Sequence, residues 1–254
     1  MANGAAAVRK GNELLDRIGV IARASEIDEV ALQRVQVEAR ALMATDAAAA
    51  NGVMGTVAAI RGDISEVRNR YRIALGIDRR EIVWCNYSTS LAIVDEHLDS
   101  LAAAKEGLDS YPGDPNLLLR AIEAAAESAN FLEADALCRR WETVVPDRPY
   151  PLRERVRKLA EAVESGLMTE EGARGVIEML TAIQREEGVQ TASAEIRVNP
   201  QGFLYDRGVR CTAEKASDMN WRMAGEMAAR MDLWTGGSSV FSAGFVGMVD
   251  AGNG

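Results

Sequence analysis

The chain has 254 residues, 48% apolar and 26% charged, enough to bury one large core or two smaller ones. A net charge of −9 and a pI near 4.9 run against the basic footprint of a nucleic-acid binder, so no nucleic-acid partner is expected. No apolar run approaches the roughly 20 residues that span a bilayer, and no membrane association is expected.

Aromatic residues make up 5% and prolines number six, while alanine is abundant, a balance that favours closely packed helices over a sheet-rich sandwich. Cys85, Cys138 and Cys211 are odd in number and far apart, which suits a reducing compartment better than a disulfide framework. Met1 to Val8 is apolar but short, with no basic stretch before it, and makes a poor secretion signal. These features predict a cytoplasmic protein, and the excess of arginine over lysine suits a GC-rich bacterial genome.

In chain order, Gly4 to about Thr45 reads as two helices. Leu14, Leu15, Ile18 and Ile21 form one stripe; after a break at Ala24–Ser25, Val30, Leu32, Val35 and Val37 lead into Ala41, Leu42 and Met43. Three segments then align without gaps at a spacing of 33 or 34 residues: 48–80, 81–114 and 115–148. The first carries Arg61-Gly62-Asp63-Ile64-Ser65-Glu66-Val67, then Tyr71, Ala74-Leu75 and Ile77-Asp78. The second has Trp84 near its start and Gly107-Leu108 and Pro112 towards its end. The third has Leu118 in the tryptophan register, then Phe131, Ala134 and Pro146.

This pattern resembles the tetratricopeptide repeat family, in which a Gly-Asp turn precedes an amphipathic second helix that ends in Ala-Leu and a closing proline. The departures are Arg79 at a closing-proline position, Ser100 at a usual alanine, and Trp141 where Ala74 and Gly107 stand in the other segments. The resemblance implies stacked helix pairs whose first helices line a concave channel. The channel positions would be Gly52, Thr56 and Ile60, then Cys85, Asn86, Thr89 and Ile93, then Leu119, Arg120, Glu123 and Glu127. The clamp of lysines, arginines and asparagines with which some family members grip chaperone tails is absent as a whole. Asn86 and Arg120 suit a peptide backbone or a carboxylate, and the mixed apolar and acidic lining suits an amphipathic or basic partner segment.

Two further helices are predicted after Pro149 and Pro151, Leu152 to Glu164 and Thr169 to Glu187, the second capped by Thr169. Beyond Gly188, Glu195 to Val198 alternates like a strand, Asn199 to Gly202 is a turn, and Phe203 to Tyr205 is extended, with Val209 to Cys211 as its continuation. Ala213 to Met231 reads as a helix with Ala216, Met219, Met223, Met227 and Met231 along one stripe; Asn220 falls inside it and needs a partner, while Trp221 falls off it. Trp234 and Gly236-Gly237-Ser238-Ser239 form a loop before a last strand at Val240 to Val249. The predicted fold is mainly α: a tetratricopeptide-like superhelix over residues 1–190, followed by a small α+β domain, β-β-α-β, over 191–254.

No motif carries catalysis. His97 stands alone at the start of a helix and reads as structural, without a second histidine to share a metal. Gly236 to Ser239 reads as a connector, the cysteines have no base in sequence, and the pairs Glu161–Glu164 and Glu170–Glu171 read as solvated faces. The arginines at 68, 70, 72, 79, 80, 153, 155 and 157 read as surface cations paired with nearby carboxylates. No cofactor, metal or catalytic residue is predicted. The expected function is a protein–protein interaction scaffold, with a protein partner on the repeats and the tail as a homodimerisation or second docking module. The alternatives are a regulatory protein of antitoxin-like or transcription-associated type, and an enzyme with a site between the two domains.

Overall fold

The computed structural model describes residues 2–24, 26–199, 202–230 and 240–249, with side chains from residue 9 onward. Ser25, the Pro200–Gln201 part of the expected turn, Met231, Trp234 and the Gly236–Ser239 connector lie outside the described residues. Among those described, ten helices come first: α1 (Ala2–Arg23), α2 (Glu29–Leu42), α3 (Ala47–Ile60), α4 (Ile64–Ile77), α5 (Glu81–Ile93), α6 (His97–Ser110), α7 (Pro115–Glu127), α8 (Phe131–Val144), α9 (Arg153–Glu164) and α10 (Glu170–Glu186). Then follow β1 (Thr191–Asn199), β2 (Gly202–Thr212), α11 (Ala213–Ala229) and β3 (Phe241–Val249). Among the described residues no helix is long and apolar enough to cross a membrane.

Helix starts are written in side chains that accept from otherwise unpaired amides. Asp46 accepts from the Ala49 N–H at 2.9 Å, Asp63 from Glu66 at 3.0 Å, and Asp114 from Leu117 at 2.8 Å just before Pro115 opens α7. Thr169 caps α10 as its sequence predicts, its Oγ1 accepting from the Gly172 N–H at 3.0 Å.

The chain divides into two compact units, residues 1–120 and 121–254. In the first, the helices are short and pack in hairpin-like neighbours. The odd-numbered α1, α3 and α5 touch in sequence, and α3 and α5 also pack on the even-numbered helix before and after them. Helix α3 is apolar on nearly every side, and every residue from Asn51 to Ile60 is buried. Its Val53, Met54, Val57 and Ile60 share a core with Leu14 and Ile18 of α1 and with Leu32, Val35 and Ala39 of α2. Val30 and Val37 are not part of that stripe: they are 63% and 54% exposed. At 100° per residue they fall across the helix from Leu32, Val35 and Ala39, so the apolar run is wider than the face it buries.

Small residues set the helix spacing. A Cβ at Gly55 would lie 2.7 Å from the Tyr71 ring, and one at Gly107 would lie 2.8 Å from the Trp84 Cβ, so each glycine admits an aromatic side chain from the paired helix. Ser100, the departure from alanine, is buried and donates to the Ser88 carbonyl at 2.8 Å, with the Ser88 hydroxyl 2.9 Å away. A polar intruder is thus satisfied within the hairpin.

In the second unit, one core joins helices and sheet. Val176, Ile177, Leu180 and Ile183 of α10 share it with Ile196 of β1, Phe203, Tyr205 and Val209 of β2, Met219 and Met223 of α11, and Phe241 and Phe245 of β3. Phe131 at the start of α8 reaches Phe241 with ring centroids 6.0 Å apart. The sheet is mixed, in the order β1-β2-β3: β1 and β2 are antiparallel, and β2 and β3 parallel, with α11 as the connection between them. Trp141 is accommodated because it closes the α8–α9 connection. Its indole N–H donates to the Arg148 carbonyl at 2.7 Å, and its ring meets Tyr150 edge-on.

Asn220 is half-buried, and its partner is the main chain of β3. Its amide donates to the Phe245 carbonyl at 2.9 Å and accepts from the Phe245 N–H at 2.7 Å. The edge strand β3 is therefore occupied at Phe245 by a side chain of the molecule's own helix. Trp221 is 78% exposed, as its place off the stripe predicts.

Candidate functional site

The first unit holds a cavity of about 310 Å³ where the first turns of α3 and α5 approach α1. Its lining includes residues with little or no side chain, Gly11, Ala48, Ala49 and Gly52. Leu15 of α1 and Ile82 and Val83 of α5 supply apolar wall, and the Tyr71 ring closes one side. The polar part consists of Asn12, Asp46, Asp78, Arg80, Glu81 and Asn86.

These groups are unequally committed. One Asp46 oxygen caps α3. Asp78 holds Arg80 twice, accepting from its main-chain N–H at 3.0 Å and from Nε at 2.6 Å. The Arg80 hydrogen bond and charge lower the Asp78 carboxyl from its ordinary value, and Asp78, with Asp46 and Glu81 nearby, raises the Arg80 guanidinium. The start of α5 has no side-chain cap, since residue 80 supplies an arginine where α2, α3 and α4 have an aspartate.

Beneath the cavity lies a buried triangle of hydroxyls. The Tyr71 phenol is 2.8 Å from Thr56 Oγ1 and 3.1 Å from Ser90 Oγ, and Thr56 and Ser90 are 3.2 Å apart. Thr56 also donates to the Gly52 carbonyl at 3.1 Å. Burial pushes the Tyr71 phenol up to about 12, against the hydrogen bonds from Ser90 and Thr56 that favour its charged form. Tyr87 stacks on the Tyr71 ring at 5.0 Å. This network ties α3, α4 and α5 together under the cavity.

The channel positions divide in two. Cys85, Asn86, Thr89 and Ile93 on α5, and Leu119, Arg120, Glu123 and Glu127 on α7, are all partly exposed, and Asn86 lines the cavity. Gly52 lines it too. Thr56 and Ile60 are buried: Ile60 lies in the core shared with α1 and α2, and Thr56 in the hydroxyl triangle. Thr89 turns its hydroxyl back on the Cys85 carbonyl at 2.9 Å. Sequence reasoning missed Asn12, Asp46, Asp78 and Glu81. The available signal was the run Asp78-Arg79-Arg80-Glu81 at a repeat junction, which reads as solvated charge until α1 is seen beside it.

The groups considered for chemistry occupy structural places. Burial pushes the Cys138 thiol up to about 12 and raises that of Cys211, so both are held in the protonated, poorly nucleophilic form. His97 is buried at the start of α6 with Nε2 3.7 Å from an Asp95 oxygen. Among the described residues no group of three His, Cys, Asp or Glu side chains is placed to hold a metal ion. The arginines pair as expected: Arg68 with Glu96 and Asp99, Arg79 with Glu106, and Arg153 with Asp135 and Glu142. Comparison with protein-family models and with curated proteins gives no match to this chain.

Proposed function

We propose that the chain is a tetratricopeptide-like interaction scaffold that holds a segment of a partner protein on its odd-numbered helices. The observation that carries this reading is the exposure pattern on α5 and α7. The eight channel positions on these two helices are part-exposed, whereas Trp84, Ser88 and Leu91 on α5 and Leu118, Ala121, Ile122 and Ala125 on α7 are buried; the three on α3, Gly52, Thr56 and Ile60, are buried and lie outside this pattern. A register that sorts surface from core on both helices supports a docking role for the surface half. Asn86 adds a specific donor and acceptor: among the described residues its amide has no hydrogen-bond partner. An extended or helical peptide offers main-chain groups that would satisfy it.

The test is co-purification from the native source with the full-length chain as bait, beside a variant carrying Asn86→Ala and Glu123→Lys. The expected result is a stoichiometric protein that the variant retains poorly while melting at the same temperature as the parent. A partner held equally by both would move docking off these helices. No partner at all from the folded chain would contradict the scaffold reading.

A further inference from the structure

We propose that the cavity between α1, α3 and α5 is a pocket for one lysine or arginine side chain of the partner segment, a proposal that rests on the scaffold reading and gives it a chemical specificity. Three carboxylates, Asp46, Asp78 and Glu81, and a single guanidinium, Arg80, line the 310 Å³ space, a formal excess of two negative charges. Arg80 commits its Nε to Asp78, so part of its charge is already balanced within the pocket. Glu81 is the uncommitted member: among the described residues its carboxylate accepts no side-chain or capping hydrogen bond. An incoming cation would complete the charge balance, and an incoming carboxylate would add a fourth negative group.

The shape fits the same occupant. Lysine and arginine carry a charged head on an aliphatic stem and pack that stem along apolar surface. Here the lining combines glycine and alanine with Leu15, Ile82 and Val83, beside the carboxylates. The volume lies at the lower limit for ligand pockets and is ample for one long side chain. Asn12 and Asn86 stand on the same lining and, among the described residues, make no hydrogen bond, which leaves their amides for a partner's main chain. The basic segment foreseen for the channel thereby gains a fixed anchoring point at the start of α5.

The test is a selection from a display library of random short peptides against the immobilised full-length chain, repeated with Glu81→Gln and with Gly52→Leu. The first variant removes a charge and keeps the shape; the second fills the cavity and leaves the charges alone. The expected result is a set of enriched peptides sharing a lysine or arginine at one position. The tightest should lose roughly tenfold in affinity on Glu81→Gln, lose binding on Gly52→Leu, and weaken as salt is raised. Should Gly52→Leu lower the melting temperature, Glu81→Gln and the salt series decide alone. Enriched peptides without a common basic residue, or indifferent to Glu81→Gln, would overturn the pocket and leave the scaffold reading standing. No enrichment from the folded chain would overturn both.

Discussion

A Cβ added at Gly55 meets the Tyr71 ring at 2.7 and 2.8 Å, whereas one added at Gly52, a single turn earlier on α3, has nothing nearer than 3.9 Å. Gly55→Ala should therefore destabilise the chain by about 1–3 kcal/mol through overpacking. Gly52→Ala should stabilise it by roughly 0.5–1 kcal/mol, because glycine in a helix interior costs backbone entropy and this site has room for a methyl group. Melting temperatures that moved the same way for both would contradict the packing described for α3 and α4. Tyr71 gives a pH-dependent counterpart. Its folded-state value near 12 stands above the ordinary 10.0, so the stability it contributes is fully present below pH 10 and is lost as the pH rises towards 12. Tyr71→Phe should cost about 1 kcal/mol at neutral pH and flatten the loss of stability between pH 10 and 12. An alkaline denaturation profile as steep as that of the parent would assign the titration to another group. Asp63 and Asp78 act at the other end of the scale. Their depressed values mean that their contributions are present above the ordinary carboxylate range and fade as the pH falls below it.

At the scale of elements, α11 shows how one side chain replaces a missing strand. Asn220 binds both main-chain groups of Phe245 and so occupies the outer edge of β3, a strand with no charged residue between Phe241 and Val249 to discourage pairing. Asn220→Ala should cost about 1–3 kcal/mol by leaving those groups unpaired, and should let the chain self-associate. Size-exclusion chromatography that shows the variant at the parent's elution volume over a wide concentration range would remove the edge-protection role. Much of the element order was legible beforehand. The Gly62-Asp63 turn, the cap at Thr169 and the alternation from Glu195 to Val198 are local signals, and the structure places elements where they stand. The stripe of α2 was read too wide, since Val30 and Val37 are apolar without being inside. The partner of Asn220 was not legible, because it lies 25 residues away on a strand whose placement no local pattern fixes. The cavity stayed hidden for the same reason: Gly11, Asn12 and Leu15 belong to a helix before the repeats, and only packing brings them to Asp78 and Glu81.

For the whole molecule, the core of residues 121–254 is one continuous body of helix and sheet. Val176, Ile177, Leu180 and Ile183 lose the sheet and α11 side of that core if β1, β2, α11 and β3 are removed. Truncation after residue 190 should therefore yield a chain with an exposed apolar stripe, which binds a hydrophobic dye and aggregates; a monomeric fragment with the parent's helical signal and no dye binding would contradict this. The central claim, that the odd-numbered helices are the docking surface, has its most direct test in site-specific photocrosslinking in the native source. A photoreactive residue is placed at Thr89, on the part-exposed side of α5, or at Leu98, which is 52% exposed on α6. The account predicts a single protein adduct from Thr89 and none from Leu98. An adduct from Leu98 with none from Thr89 would place docking on the even-numbered helices and contradict it.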